Sequence, residues 1–161
     1  MSQPTRVLFV CMGNICRSPT AEGVFRALLA DEGLEDDFEV DSAGTHDYHI
    51  GEPVDDRTLR AAAARGVNLS YRTGRQARAA DFDDFDYVIA MDRQNLHHLQ
   101  RLAGGKADGR LHLMMDFAPE LGMRDVPDPY FGGHDGFERV LDLVQTAARG
   151  LLDSIRRRHV T

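Results

Sequence analysis

The run C-M-G-N-I-C-R-S at residues 11–18 puts a thiol, a glycine, an asparagine, an arginine and a hydroxyl within eight positions. Gly13 and Asn14 tolerate positive φ, so the five residues after Cys11 can wind their N–H groups inward as an anion-binding nest. Arg17 can fork two parallel hydrogen bonds onto two oxygens of a phosphate. A helix starting there adds positive potential at its N-terminus, and the same field favours the thiolate of Cys11 over its thiol. Attack on phosphorus needs this pairing of sulfur and electropositive cup, and it needs no metal. The nucleotide-binding pattern G-x-x-x-x-G-K-S/T is absent, and no lysine stands nearby. A cysteine at a strand end is, by itself, an inert buried thiol. Only the company of Gly13, Asn14, Arg17 and Ser18 makes Cys11 a candidate nucleophile.

Such a loop works only if rigid elements aim it. Arg6–Val10 (RVLFV) is short, apolar and β-branched, which suits a fully buried strand ending at Cys11. Ser18-Pro19 reads as a helix start, with the serine oxygen as cap and proline in the first turn. Ala21, Val24, Phe25, Leu28 and Leu29 follow at helical spacing until Gly33. Further strands are expected at Phe38–Ala43, Phe85–Ala90 and, more weakly, Arg110–Met114. Helices are expected at Asp55–Arg65, from Asp92 to Leu102, and over the C-terminal run from Phe137 to Ile155. Strands alternating with helices imply right-handed crossovers and a parallel sheet covered on both faces. The expected fold is a three-layer flavodoxin-like α/β domain, a four-stranded parallel sheet flanked by helices, with residues 1–161 as one domain. Ligands in such folds sit beyond the carboxyl ends of the strands, where Cys11 falls.

Composition narrows the classes. The chain has 161 residues with 42% apolar and 28% charged side chains, an ordinary globular balance. A formal net charge of −7 argues against broad attraction to nucleic acid or an anionic membrane. No stretch approaches the roughly 18 apolar residues of a membrane span, and the N-terminal run lacks the basic leader of a secretory signal. Two cysteines do not make a disulfide framework. The expected compartment is the cytoplasm. The seven histidines show no metal-ligand spacing, and His97-His98 reads as a solvated helix face. Arg156–Arg158 complement the dipole of the last helix.

Four segments together resemble the low-molecular-weight protein tyrosine phosphatases: CMGNICRSPTAE at Cys11–Glu22, DSAGT at Asp41–Thr45, FDYVIAMD at Phe85–Asp92 and DVPDPYFGGHDGFE at Asp125–Glu138. The likeness extends over nearly the whole chain. It implies that Cys11 attacks phosphorus and carries a phosphocysteine intermediate. Arg17 and the loop amides from Met12 through Cys16 to Ser18 would hold the equatorial oxygens. It implies that Ser18 bonds the Cys11 sulfur, that Asn14 and Ser42 brace the loop, and that Asp128 protonates the leaving oxygen and then activates water. Without the resemblance Asp128 would pass for a turn residue, and Asp125 is its neighbour and competitor. Cys16 is either a small core-facing residue or, as the resemblance implies, a thiol that closes a reversible disulfide with Cys11. Tyr48, Tyr130 and Phe131, with Met12 and Ile15, would wall a slot deep enough for a phenyl ring. The implied partner is a tyrosine-phosphorylated protein, with phosphate or vanadate as inhibitors, no cofactor, and a monomeric enzyme.

Two features depart from the family pattern. Arg72 stands where many members carry a loop-bracing histidine, so that bracing is not carried over. The pair after Asp-Pro is Tyr130-Phe131, so the second position has no hydroxyl to phosphorylate. Three rivals share the loop. A protein arginine phosphatase would carry threonine at Ile15, and a bulky apolar side chain suits a phenyl ring better than a guanidinium. A thioredoxin-coupled arsenate reductase needs further cysteines, and none follows Cys16. A phosphopeptide-binding module would have lost Cys11 or the acid.

Overall fold

The structure is a computed structural model, and it describes residues 3–70, 73–107, 109–129 and 135–159. Four strands, β1 (Thr5–Cys11), β2 (Phe38–Gly44), β3 (Tyr87–Ala90) and β4 (Leu111–Leu113), form one parallel sheet in the order β2-β1-β3-β4. The helices are α1 (Arg17–Asp31), α2 (Asp56–Ala63), α3 (Asp81–Asp84), α4 (Arg93–Ala103) and α5 (Gly136–His159). The flavodoxin-like expectation of a four-stranded parallel sheet between helices holds. Short 3-10 turns occupy Glu35–Asp37, Met114–Phe117 and Pro119–Leu121.

Alternation along β1 explains its unbroken apolar run. Val7, Phe9 and Cys11 face one side, packing with α1 and α5 residues such as Phe25, Val144 and Leu151. Leu8 and Val10 face the other, packing with Phe82, Phe85, Val88 and Leu99. A strand buried on both faces has no polar side to show. Burying Phe9 stabilises the fold by roughly 1.5–3 kcal/mol, and the same alternation places the Cys11 side chain on the α1 side, where the next loop returns.

The chain leaves β1 toward β2 on one side, while β3 lies on the other. The carboxyl end of β1 is thus the switch point of the sheet, the usual crevice of such folds. Beyond the strand pairing, the Thr45 N–H donates to Cys11 O (2.8 Å) and the His46 N–H to Met12 O (3.1 Å), so the end of β2 tracks the loop as it leaves β1.

Several local expectations change. α1 begins at Arg17, with Cys16 as the N-cap residue and no side-chain cap. Ser18 lies inside the first turn, so its hydroxyl cannot cap and turns to Cys11 instead. Pro19 still falls in the first turn, where a missing N–H costs nothing. α1 ends as the glycine predicts, with Gly33 at φ 70° and the Leu34 N–H returning to Leu29 O. The expected helix at Asp55–Arg65 is shorter, because Asp55 caps it with its carboxylate on the N–H groups of Arg57 and Thr58. β4 is shorter than Arg110–Met114, since the chain tightens into a 3-10 turn at Met114.

Candidate active site

Cys11 ends β1 and is almost wholly buried. Its Sγ accepts the Asn14 N–H at 3.3 Å and lies 3.0 Å from Ser18 Oγ. Ser18 Oγ also sits 3.3 Å from Ala43 O, so its one proton has two destinations. With a thiol at Cys11, S–H donates to Ser18 and Ser18 donates to the carbonyl. With a thiolate, the hydroxyl turns and donates to sulfur. The site can therefore solvate either state of the nucleophile without moving a heavy atom.

Asn14 gives the loop its shape. It is the one non-glycine residue with positive φ (58°) among the described residues, while Gly13 stays outside that region. Left-handed backbone at a residue with a Cβ costs about 1 kcal/mol or more. The side-chain amide offsets this: Nδ2 donates to Ser18 Oγ (2.8 Å) and Ser42 Oγ (3.0 Å), and Oδ1 accepts the Arg75 N–H (3.0 Å). Ser42 passes the chain on, donating to Oε1 of the fully buried Glu22 at 2.8 Å, while Arg26 Nε donates to Oε2 at 3.0 Å. Gly44 completes the support. A Cβ there would stand 2.8 Å from Met12 O, so the close approach of β2 to the loop requires glycine.

Arg17 is 4% exposed, with a guanidinium fixed on three sides. Nη1 donates to Asp92 Oδ2 (2.6 Å) and Val126 O (3.0 Å), and Nη2 lies 3.8 Å from Asp128 Oδ2. Burial alone would lower its pKa, but the charges of Cys11, Asp92 and Asp128 outweigh burial and raise it. Asp92 does two jobs, since its Oδ1 also caps α4 on the Asn95 N–H at 2.7 Å. Asp125, the competitor for the acid, is turned away: Arg93 clamps it with three bonds of 2.9–3.2 Å and holds its carboxyl below the usual range.

These groups open on one cleft of about 310 Å³, in which Cys11, Arg17 and Asp128 share the cavity with Met12, Ile15 and Tyr48. Its size falls near the lower end of small-molecule sites. A wider hollow of about 880 Å³ lies at the other end of the sheet, around Thr5, Asp86 and Arg110, and it contains no thiol or other nucleophile of comparable strength. Tyr130, Phe131 and Arg72 lie outside the described residues. Cys16 also touches the cleft, but burial pushes its thiol up to about 12, with Thr58 pulling the other way. Both cysteines are free thiols.

Sequence reasoning missed four participants. Asp92, Glu22 and Arg75 act through contacts 75, 20 and 61 positions away, and no local pattern announces such partners. His49 lies against Gly13, where an added Cβ would meet its Cδ2 at 3.0 Å, and it pairs with Glu52. His98 is also less solvated than expected. Its ring is 5.3 Å from that of His46, and partial burial with His46 and Arg101 lowers its pKa. His97 is exposed. Arg156 approaches Glu32 (4.0 Å) and Arg158 lies over the Tyr87 ring, so side-chain partners add to any helix-dipole role. Among the described residues no three His, Cys, Asp or Glu side chains gather into a metal-binding group, and no helix is long and apolar enough to cross a membrane.

Comparison with known proteins agrees with this geometry. A family model described as low molecular weight phosphotyrosine protein phosphatase matches residues 6–161. The chain is 46% identical over 154 residues to a low molecular weight protein-tyrosine-phosphatase of Streptomyces coelicolor, covering 94% of this chain and 93% of that one. It is 43% identical over 151 residues to the Bacillus subtilis protein-tyrosine-phosphatase YfkJ, covering 94% and 96%. The crystal structure of YfkJ superposes with a TM-score of 0.93 at 41% identity, covering 98% of each chain. A Drosophila arginine phosphatase superposes at 0.86 with 31% identity, covering 93% of this chain and 97% of that one.

Proposed function

The chain belongs to the low molecular weight phosphotyrosine protein phosphatases, and from that premise we infer that it hydrolyses protein phosphotyrosine through a phosphocysteine intermediate. The observation that carries this reading is a single cleft shared by a sulfur, a buried guanidinium and a carboxylate, with Arg17 Nη2 3.8 Å from Asp128. Arg17 and the loop N–H groups receive the phosphoryl oxygens. Cys11 Sγ attacks phosphorus as the phosphorus–oxygen bond to the aryl group breaks, and Asp128 gives the leaving oxygen its proton. Asp128 then takes a proton from water as that water attacks phosphorus. The sulfur–phosphorus bond breaks, inorganic phosphate departs, and Ser18 is placed to donate to the returning thiolate.

Phosphate and vanadate would occupy the same loop as inhibitors. Free buried thiols at Cys11 and Cys16 suit a reducing compartment, and we place the enzyme in the cytoplasm as a monomer. Redox sensitivity belongs to the same proposal: peroxide would convert the Cys11 thiolate to sulfenic acid, which condenses with the Cys16 thiol to a disulfide and releases water.

Turnover of phosphotyrosine, phosphoserine and phosphoarginine peptides, with EDTA at mildly acidic pH, tests the reading against a Cys11→Ser control. Selective phosphotyrosine hydrolysis lost in Cys11→Ser supports it. Preference for phosphoarginine would refute the substrate assignment, and phosphopeptide binding without turnover would refute catalysis.

A further inference from the structure

We propose that Arg75 is a positioning residue for the phosphate loop and that it acts through Asn14. This inference rests on the reading of residues 12–18 as a phosphate site. Among the described residues, Asn14 holds its left-handed backbone with three side-chain bonds, and the supports behind them differ in kind. Ser18 belongs to α1 and Ser42 to β2, so both are fixed by regular structure. The third support, the Arg75 N–H, comes from the segment between α2 and α3, which among the described residues has no helix or strand of its own and is tied to its neighbours by isolated bridges, among them Gly74 to Ile50 and Gln76 to Gly44. A main-chain donor is only as well placed as the chain that carries it.

The Arg75 side chain adds a brace to this bridged segment. Nε donates to Asp41 Oδ2 at 3.0 Å, while Nη1 and Nη2 donate to the two oxygens of Asp81 at 3.2 and 3.3 Å. Asp41 stands in β2 beside Ser42, and its Oδ1 accepts the Ser42 N–H at 2.8 Å. Asp81 is 1% exposed and begins α3. One guanidinium thus spans a sheet strand and a helix start, with the backbone N–H of the same residue on Asn14 between them. The Arg75 carbonyl adds a further tie, accepting the Gly44 N–H at 2.8 Å where Gly44 presses on Met12.

An ordinary surface ion pair contributes little to stability. This one differs in geometry: the fork onto Asp81 is two-pronged, and the acceptor is buried and further fixed by the Arg78 N–H at 2.8 Å. Without the fork, the segment keeps its main-chain bonds to Gly44, Gly51 and Glu52 but loses the side-chain tie that holds the Arg75 N–H against Asn14. Asn14 then loses one of the bonds that offset its backbone cost. Its own N–H, which points at the Cys11 sulfur, drifts with it. The consequence is a loop less well organised for an oxyanion, in a protein that is otherwise folded.

The test is a double-mutant cycle read by vanadate inhibition of phosphotyrosine hydrolysis and by vanadate binding in calorimetry. Arg75→Met is expected to raise the vanadate dissociation constant about tenfold, equivalent to about 1.4 kcal/mol. In an Asn14→Gly background, which keeps left-handed backbone accessible but removes the amide, the same change should cost less than about twofold. Arg75→Lys, which keeps the charge without the fork, should fall between, and it replaces Arg75→Met should that variant not fold. Arg149→Met, which removes the remote pair with Glu32, should leave vanadate affinity unchanged. Equal losses in both Asn14 backgrounds, or no loss in either, would overturn the role of Arg75. A wild-type protein indifferent to vanadate would instead overturn the phosphate site on which the inference rests.

Discussion

Asp92 provides a sharp quantitative test, because one carboxylate serves both the guanidinium and a helix. Its Oδ2 holds a 4% exposed Arg17 at 2.6 Å, and its Oδ1 caps α4 at 2.7 Å. Breaking a buried ion pair typically costs 3–5 kcal/mol because a charge is left unpaired. Here Val126 O and Asp128 remain beside Arg17, so the low end, about 3 kcal/mol, applies. Loss of the cap adds about 1 kcal/mol. Asp92→Ala should therefore destabilise by about 4 kcal/mol, and Asp92→Asn, which keeps a capping oxygen, by about 3. Urea denaturation of both variants measures the totals, and their difference isolates the cap. Activity should separate differently: both variants release the guanidinium, so kcat/KM should fall by similar factors despite unequal stability. Refutation would be an Asp92→Ala protein within about 1 kcal/mol of wild type, or an Asp92→Asn protein with undiminished turnover.

Asp128→Ala should slow hydrolysis of aryl phosphates with poor leaving groups by about 10²–10⁴ while sparing good ones; a rate loss independent of leaving-group pKa would remove Asp128 as the acid. Cys16, raised from the ordinary 9.0 to about 12, keeps its proton in the folded state after the unfolded chain has lost its own. Its stabilising effect is therefore complete below pH 9 and lost as pH rises toward 12, at about 1.4 kcal/mol per pH unit. Denaturation at pH 9 and 10.5 should show a shallower decline in Cys16→Ser, and parallel declines would refute the assignment. Gly44→Ala forces a Cβ to 2.8 Å from Met12 O, a backbone atom that cannot swing aside. It should cost about 1–3 kcal/mol and weaken vanadate binding; unchanged affinity would show that the loop tolerates displacement.

What the sequence discloses, and what it withholds, follows from how far each residue's partners lie. β1 and α1 are legible because alternation and 3.6-residue spacing are local: Val7 to Val10 all read as buried, and all are. Cys11, Asn14, Arg17 and Ser18 are legible for the same reason, standing on one short loop. Ser18 nevertheless reads locally as a cap, because Ser-Pro has a strong local meaning and the pull of the Cys11 sulfur seven positions back has none. Asp92, Glu22 and Arg75 are ordinary charged residues until the fold closes. Asp92 passes for a helix cap, which it also is, and nothing in its neighbourhood mentions an arginine in another element. The shortened β4 likewise reflects a turn set by tertiary packing of Met114 and Met115 rather than by propensity.

The balance of charge around the cleft explains how a chain of net charge −7 can hold an anion at all. Five carboxylates around the loop are committed to a cation or a donor: Asp92 to Arg17, Glu22 to Arg26 and Ser42, Asp125 to Arg93, Asp41 and Asp81 to Arg75. Their charge is spent locally and screened at longer range. What faces the cavity is the loop backbone, a guanidinium with one nitrogen still directed at the cleft through Nη2, and Asp128 beside it. On the proposed mechanism that last contact matters most, because the cation that draws in the phosphoryl group also keeps the acid within a few ångströms of it. Arg17→Lys should therefore fail twice: a point charge cannot fork onto two oxygens, nor hold Asp92 and face Asp128 at the same time.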